Sequence, residues 1–85
     1  MKKISVVILN WNGVGMLQKF LPKVLEYSQG EGVEVCVADN GSTDDSVAWL
    51  KANCPDVRVI VLEQNYGFAD GYNKALQQVE AEYVV

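Results

Sequence analysis

Four short apolar runs alternate along this chain with three segments of helical periodicity, and this alternation limits the folds that the chain can adopt. The runs are nearly continuous in apolar character and rich in β-branched residues, which is typical of strands covered on both faces of a parallel sheet. We predict strands at 3–9, 33–38, 57–62 and 83–85. We predict helices over 15–28, from 42 to about 53, and from about 67 onward. The order predicts an α/β fold, a Rossmann-like three-layer α/β/α arrangement with a mostly parallel sheet.

Several single residues carry expectations about the helices. Pro22 should kink or divide the first helix, because proline removes a backbone hydrogen bond from a helix interior. Ser42 is the expected N-cap of the second helix. That cap would place Asp44 and Asp45 in the first turn, where the helix dipole favours negative charge. We expect Phe68, at the start of the third helix, to be mainly a core residue.

Size and charge exclude several classes of protein. A chain of 85 residues has room for one domain with a marginal core. Its net charge of -4 supplies no basic surface for a phosphate backbone, so we expect no nucleic-acid partner. The apolar run after Lys2 and Lys3 is too short for a signal peptide, and no stretch approaches the length of a membrane span. We therefore expect a cytoplasmic protein, in which Cys36 and Cys54 are reduced structural thiols.

Polar and glycine-rich residues follow each of the first three predicted strands. The three segments are Asn10-Trp11-Asn12-Gly13, Asp39-Asn40-Gly41-Ser42-Thr43-Asp44-Asp45 and Glu63-Gln64-Asn65-Tyr66-Gly67-Phe68. We refer to them as the first, second and third exits. In open parallel sheets, ligands bind beyond the carboxyl ends of the strands, so we expect a binding site where these exits meet.

The side chains of the first two exits suit a nucleotide. The ring of Trp11 can stack on a nucleobase, and the amides of Asn10 and Asn12 can bond the edges of base and ribose. Asp39, the last residue of the second strand, can accept a hydrogen bond from a base N–H or a ribose hydroxyl. The alternative is that Trp11 belongs to the core and that the polar residues only form turns and helix caps.

The third exit continues into the segment NYGFADGYN over residues 65–73. Gly67 and Gly71 would keep side-chain bulk away from a neighbouring backbone or ligand at the helix start. Asn73 lies about two turns into the helix, where its amide needs hydrogen-bond partners or water. The alternative for Asn65 and Gly67 is a plain turn.

Taken together, three motifs resemble those of family 2 glycosyltransferases. They read SVVILNWNG from Ser5, DNGSTDDS from Asp39 and NYGFADGYN from Asn65. In this order and spacing they cover nearly the whole chain, and the first and third look most similar to the rhamnosyltransferase-like branch. The resemblance implies that residues 1–85 are the nucleotide-sugar-binding N-terminal part of a GT-A domain.

The resemblance also implies roles for individual residues. Trp11 would stack on the donor base, Asp39 would bond it, and the other nucleotide-binding positions would be Asn10, Asn12, Asn65, Gly67 and Asn73. In this family an Asp-x-Asp motif just after the fourth strand holds Mg²⁺ or Mn²⁺ on the donor diphosphate, and a carboxylate general base follows farther on. Val85 precedes both, so we expect no catalytic and no metal-binding residue within this chain.

The function implied for the parent enzyme is inverting hexosyl or deoxyhexosyl transfer. The donor would be a UDP- or dTDP-linked sugar and the acceptor a saccharide or lipid-linked saccharide, in cell-surface polysaccharide or glycan synthesis at the inner face of the membrane. The chain stops inside an apolar strand, so we expect a truncated domain that transfers no sugar by itself. An incomplete sheet edge could also pair with a second copy of the chain.

Two other functions fit parts of the pattern. Gly13-Val14-Gly15 after the first strand, with Asp39 after the second, would suit a dinucleotide-binding domain of an oxidoreductase. The third glycine of that fingerprint is missing, because position 18 is Gln18. A non-catalytic nucleotide-binding module would need only the three exits.

Overall fold

The predicted alternation of strands and helices is present in the computed structural model, which describes residues 2–28, 30, 32–79 and 81–84. The elements are β1 (Lys2–Asn10), α1 (Val14–Tyr27), β2 (Val33–Asp39), α2 (Ser46–Asn53), β3 (Arg58–Val61), α3 (Phe68–Leu76) and β4 (Ala81–Val84). The prediction of a fourth strand is confirmed over 81–84, while Val85 lies outside the described residues. The α/β fold class is thus confirmed.

All four strands are parallel and lie in the order β3-β2-β1-β4. β1 pairs with β2 along its length, from Ile4↔Val33 to Asn10↔Asp39. On its other side, β4 pairs with β1 over Lys2↔Ala81 to Ser5↔Val84. The chain therefore steps from β1 to β2 to β3 in one direction and then crosses back beyond β1. Such a reversal of strand order is where open α/β sheets bind ligands.

The helices cover opposite faces of the sheet, and each face has its own hydrophobic core. α1 and α2 pack on one face of the sheet. The core between these helices and the sheet consists of Leu17, Leu21, Val35, Val37, Leu50, Cys54 and Val57. α3 packs on the other face with Val7, Cys36, Ala38, Ile60, Leu62 and Ala75. The two free cysteines are both buried, one in each core. This arrangement is the expected result of right-handed crossovers that run in opposite directions along the sheet.

Two expectations about the helices are wrong: the division of the first helix at Pro22 and the start of the second helix. Pro22 does not divide α1, because the buried side chains of Leu17 and Leu21, in the turns before the proline, pack the helix against the sheet. The second helix begins at Ser46 with Asp45 at the N-cap position, so Ser42 is not its cap and neither aspartate lies in its first turn. The residues before Ser46 instead form hydrogen bonds with the first exit, as described below.

A polar cluster anchors α3 at the amino end of the sheet, opposite to the strand exits. Arg58 Nη2 donates to the carbonyl oxygen of Gln78 at 2.6 Å, just past the end of α3. Arg58 Nη1 also lies 3.9 Å from Glu34 Oε1. Cationic groups stabilise helix C-termini, so this contact fixes the far end of α3 while its N-terminus faces the exits.

None of the helices in the described part of the chain is both long enough and apolar enough to cross a lipid bilayer.

Candidate functional site

The three exits meet at the carboxyl edge of the sheet, as expected. Backbone hydrogen bonds carry the pairing one residue past the strands, with Asn40 N donating to Asn10 O at 2.7 Å and Leu62 N to Asp39 O at 2.8 Å. Beyond these backbone bonds, hydrogen bonds from side chains connect the exits. Two polar side chains, those of Asp39 and Asn40, then join the exits to each other.

Asp39 joins the first and second exits. Its side chain is 1% exposed, and Oδ1 accepts from Asn10 Nδ2 at 3.0 Å and from Ser42 Oγ at 2.6 Å. Oδ2 accepts from Ser42 N at 2.9 Å. A buried carboxylate needs such donors to offset its desolvation. Asp39 therefore has a structural role in addition to the nucleotide contact predicted from the sequence.

Asn12 forms a second connection between the same two exits. It adopts a left-handed backbone conformation with φ 50. Its Oδ1 accepts from Thr43 N at 2.7 Å and from Asp44 N at 3.2 Å, while its own N–H donates to Ser42 Oγ at 2.8 Å. The amide that we assigned to the nucleotide thus holds the 42–44 turn, and only its Nδ2 remains for a ligand.

Asp44 links the N-termini of α1 and α2. One carboxylate oxygen accepts from Val14 N at 3.2 Å, and the other accepts from the backbone N–H of Ser46 at 2.9 Å and from its hydroxyl. The hydroxyl bond is the main reason that the pKa of Asp44 is lowered. Unpaired N–H groups at helix N-termini favour such a carboxylate. The sequence identified the acidic residue but not this bridge.

Asn40 joins the second exit to the third. Its Nδ2 donates to Asn65 Oδ1 at 3.2 Å and to Gly67 O at 3.1 Å, and its Oδ1 accepts from Tyr66 N at 3.0 Å. The side chain is 3% exposed and lies against Gly71, where an added Cβ would come within 2.9 Å of Nδ2. Gly71 thus gives room to the side chain of Asn40, and not to the neighbouring backbone or ligand that the sequence suggested.

Gly41 is also required between these two exits. Its φ is +76, and an added Cβ would lie 2.5 Å from the backbone carbonyl carbon of Gln64. From the sequence, Asn40 and Gly41 were expected only as parts of a turn. The signal was available for Asn40, because two consecutive polar residues at a strand end must point to opposite faces of the sheet.

The predicted residues of the third exit are only partly brought together. Asn65 Oδ1 accepts from Gly67 N at 2.7 Å, and Gly67, with φ 82, is the N-cap residue of α3. Asn73 is exposed, about half a turn of helix away from buried Gly71, and faces away from the sheet. Among the described hydrogen bonds, none connects the Asn73 side chain to the exits.

Trp11 and Phe68 both stand out from the core. Trp11 is 54% exposed, so it is not the core residue of the alternative interpretation. Phe68 is 76% exposed, and the expectation that it belongs mainly to the core is wrong, because as the first residue of α3 it lies beyond the end of the sheet. Both rings line one pocket of ≈ 280 Å³, together with Leu9, Asn40, Asn65 and Gly67.

A second pocket lies on the α1 face of the sheet and is largely apolar. Its volume is ≈ 350 Å³, and its lining includes Trp11, Ile8, Met16, Phe20 and Val24. Trp11 therefore stands between an apolar groove on one side and the pocket of the third exit on the other. Within the described residues, no three His, Cys, Asp or Glu side chains cluster closely enough to hold a metal ion.

Comparisons with known proteins agree on one family. The model of the family described as Glycosyl transferase family 2 matches residues 5–85. An uncharacterized glycosyltransferase of Nostoc sp., alr2836, is 29% identical over 85 residues, which cover 96% of this chain and 26% of the relative. The uncharacterized glycosyltransferase YfnE of Bacillus subtilis is 32% identical over 98% of this chain and 22% of its own length. The chain spans about a quarter of the length of these relatives.

Two solved structures share the fold. The chain matches TarS 1-349 of S. aureus with a TM-score of 0.77 and 26% identity, over 98% of this chain and 26% of that one. It matches the mannosyltransferase PcManGT of Pyrobaculum calidifontis, in complex with GDP-Man and Mn²⁺, with a TM-score of 0.72 and 22% identity, over 92% of this chain and 24% of the other. The expected GT-A type of fold is therefore confirmed. The family match covers nearly every residue, including all three exits, and the chain belongs to glycosyl transferase family 2.

Proposed function

We propose that this chain binds the nucleotide of a sugar donor at the carboxyl edge of its sheet, as the donor-side part of a glycosyltransferase. The observation that carries the proposal is the joining of the three exits by Asp39 and Asn40, which leaves Trp11 exposed beside a pocket where the strand order reverses. Planar bases stack on such rings, and pockets at this position of α/β sheets bind nucleotides.

The proposed roles follow the contacts of each residue. Trp11 stacks on the base, while the free Nδ2 groups of Asn12 and Asn65 donate to the nucleotide. Asp39 Oδ2 accepts one N–H in the structure and has a second lone pair for a base N–H. Because this side chain is only 1% exposed, such a bond requires the turn beside it to shift. The role that the contacts support directly is the positioning of Asn10 and Ser42.

The remaining proposed nucleotide contacts come from α3 and the first exit. Gly67 exposes the N-terminus of α3, where backbone N–H groups favour an anion such as a phosphate. Asn10 is buried and donates to Asp39 of the second exit. We propose that it contributes to nucleotide binding by holding Asp39 in place. Asn73, on the outer face of α3, could reach a ligand only at the periphery of the site.

The donor that we propose carries uracil or thymine, as the resemblance to the family implies. The mannosyltransferase neighbour was solved with GDP-Man and Mn²⁺, which supports a nucleotide-sugar donor and a divalent cation for the family as a class. A cation at the donor diphosphate would neutralise the charge of the leaving group. We propose that Mg²⁺ or Mn²⁺ is held by residues outside this chain, together with the general base for the acceptor hydroxyl.

For the parent enzyme we propose inverting hexosyl or deoxyhexosyl transfer to a saccharide or lipid-linked acceptor, in the cytoplasm or at the inner face of the membrane. We also propose a role in cell-surface glycan synthesis, which follows from the resemblance to the rhamnosyltransferase-like branch. We expect the 85-residue chain to bind the donor nucleotide without transferring sugar, and pairing of two copies through the open sheet edge stays a prediction.

Calorimetric and NMR titrations of this chain with UDP, dTDP, GDP and NAD test the proposal. We expect UDP and dTDP to bind and to shift the resonances of Trp11 and Asp39. Trp11→Ala should raise their Kd about tenfold, since the stacking of a base on an aromatic ring contributes about 1–3 kcal/mol. Tyr27→Ala, which removes an 85% exposed ring at the opposite end of α1, is the matched control. Binding of NAD without UDP or dTDP would favour the dinucleotide-binding alternative.

A further inference from the structure

We infer that Phe68 forms a second aromatic wall of the donor-base pocket, facing the same space as Trp11, and that Asn65 donates a hydrogen bond to the base held there. The inference rests on the proposed nucleotide-binding function and assigns to it a residue that the sequence placed in the core. Both rings line the ≈ 280 Å³ pocket at the edge of the sheet.

The exposure of Phe68 is the first observation. An aromatic ring that is 76% exposed contributes almost nothing to the core of this fold, although burial of such a ring is strongly favourable. The ring is nevertheless held in place, because it meets the edge of Tyr72 with centroids 5.1 Å apart and an angle of 74° between the planes. Phe68 is therefore positioned at the pocket without being buried in it.

The space beside Phe68 is the second observation. No heavy atom outside the chain neighbours lies within 4 Å of a Cβ built on Gly67, which precedes Phe68 and lines the same pocket. By contrast, a Cβ added to Gly41 in the second exit would meet Gln64 of the third exit, and one added to Gly71 in α3 would meet Asn40. The third exit is therefore closely packed where it contacts the second exit. It is open where it faces the rings of Trp11 and Phe68.

The polar groups of the pocket define which ligand edges it can bind. Asn40 uses both ends of its amide within the protein, so it offers the pocket little. Asn65 accepts twice through Oδ1, from Gly67 N and from Asn40 Nδ2, which fixes the orientation of its amide. The Nδ2 of Asn65 is then the group left for a ligand, and it can only donate.

A donor beside two aromatic walls suits a planar ring that carries an acceptor atom at its edge. The carbonyl oxygens of uracil and thymine are such acceptors, and so are the ring nitrogens of adenine. We thus expect Asn65 to donate one hydrogen bond to the edge of the base, and we expect Trp11 and Phe68 to share its stacking.

Titration of the chain with uridine, UDP, adenosine and inorganic pyrophosphate tests this inference. Phe68→Ala should weaken uridine and UDP binding about tenfold, while Phe68→Tyr, which keeps the ring, should stay within about twofold of the wild type. Tyr27→Ala is again the control, since it removes an exposed ring outside the pocket. The unfolding midpoint of Phe68→Ala should lie close to that of the wild type, because the ring is mostly exposed.

The outcomes separate this inference from the function on which it rests. If the wild type binds UDP and Phe68→Ala binds it equally well, Phe68 is no part of the pocket and the proposed function stands. If UDP and pyrophosphate bind but neither uridine nor adenosine does, the pocket holds no base and this inference is wrong. If the wild type binds none of the nucleotides, the proposed function fails and this inference fails with it. A loss of binding in Phe68→Ala that Phe68→Tyr does not restore would also contradict it.

Discussion

At the scale of single residues, Asp39 connects the first and second exits, and Asn40 connects the second and third. They are adjacent at the end of β2, so their side chains point to opposite faces of the sheet. Asp39 lies on the face of α1 and α2 and bonds Asn10 and Ser42, whereas Asn40 lies on the face of α3 and bonds the third exit. Two consecutive residues thereby position all three exits.

We predict that Asp39→Ala lowers the free energy of unfolding by about 3 kcal/mol, because the variant leaves Asn10 Nδ2 and two donors of Ser42 without their acceptor. Asp39→Asn keeps one acceptor oxygen and should cost about half as much. Urea unfolding of both variants measures the difference, with Asp56→Ala at an exposed turn as the control. An Asp39→Ala variant as stable as the control, but unable to bind nucleotide, would assign Asp39 to the ligand alone.

The glycines of the second and third exits allow a second residue-scale prediction. Gly41 and Gly67 have φ of +76 and +82, and Gly67, with ψ 176, adopts a conformation that is essentially restricted to glycine. Alanine at either position therefore carries backbone strain of about 1–3 kcal/mol. Only Gly41→Ala also forces a Cβ to within 2.5 Å of backbone, at Gln64. We expect Gly41→Ala to lose more stability than Gly67→Ala in urea unfolding. Equal losses would show that the contact with Gln64 is not close in solution.

At the scale of elements, hydrogen bonds from side chains decide where the helices begin. The sequence predicted α1, α3 and all four strands to within two residues at most ends, because their apolar periodicity is strong. It set the start of α2 too early, since Ser42 is a good N-cap by residue type. In the fold the N–H groups of Ser42 and Thr43 are used by Asp39 and Asn12 instead. The bond between Thr43 and Asn12, which are 31 residues apart in sequence, and the bond between Ser42 and Asp39 together override the local preference for a cap at Ser42.

The sequence predicted that the three exits form one site, but it did not predict which hydrogen bonds join them. Polar and glycine-rich residues after parallel strands indicate a binding site, and Trp11 and Asp39 stand at such positions in the sequence. Which amide bonds to which exit depends on strand order and on the face of the sheet, and neither is visible in local periodicity. The exposure of Phe68 was missed for the same reason, because helical spacing identifies an apolar face without showing where the sheet beneath it ends.

The bridge made by Asp44 between α1 and α2 predicts how stability depends on pH. Its pKa is lowered, so the carboxylate stabilises the fold fully above the ordinary aspartate value of 3.8, and this stabilisation is lost as the pH falls through the lower pKa of the folded state. We expect stability to fall less steeply between about pH 5 and 2 in Asp44→Asn than in the wild type.

Urea unfolding at a series of pH values measures this difference. Asp45→Asn is the matched control, because the neighbouring carboxylate makes no capping hydrogen bond to α2. Added salt should weaken the contribution of Asp44, since the group is exposed. Parallel curves for Asp44→Asn and the wild type would show that the bridge between the two helices does not form in solution.

At the scale of the whole molecule, one end of the sheet carries the site and the other end anchors α3. Arg58, Glu34 and the carbonyl of Gln78 fix α3 far from the exits, while Asn40 and Gly71 hold it near them. The described residues thus bring the proposed donor site together, in a chain that spans about a quarter of the length of its relatives. The acceptor side and the catalytic groups that we propose belong to the remainder of such a protein.

The sheet also separates the two thiols of the molecule, with Cys36 under α3 and Cys54 under α1 and α2. Burial raises the pKa of both thiols, so each reacts slowly until its own layer lifts from the sheet. Each thiol therefore reports how often the helical layer that covers it opens. A single time course of alkylation, read by mass spectrometry, would time the movement of each layer separately, including the layer that carries Phe68 to the pocket.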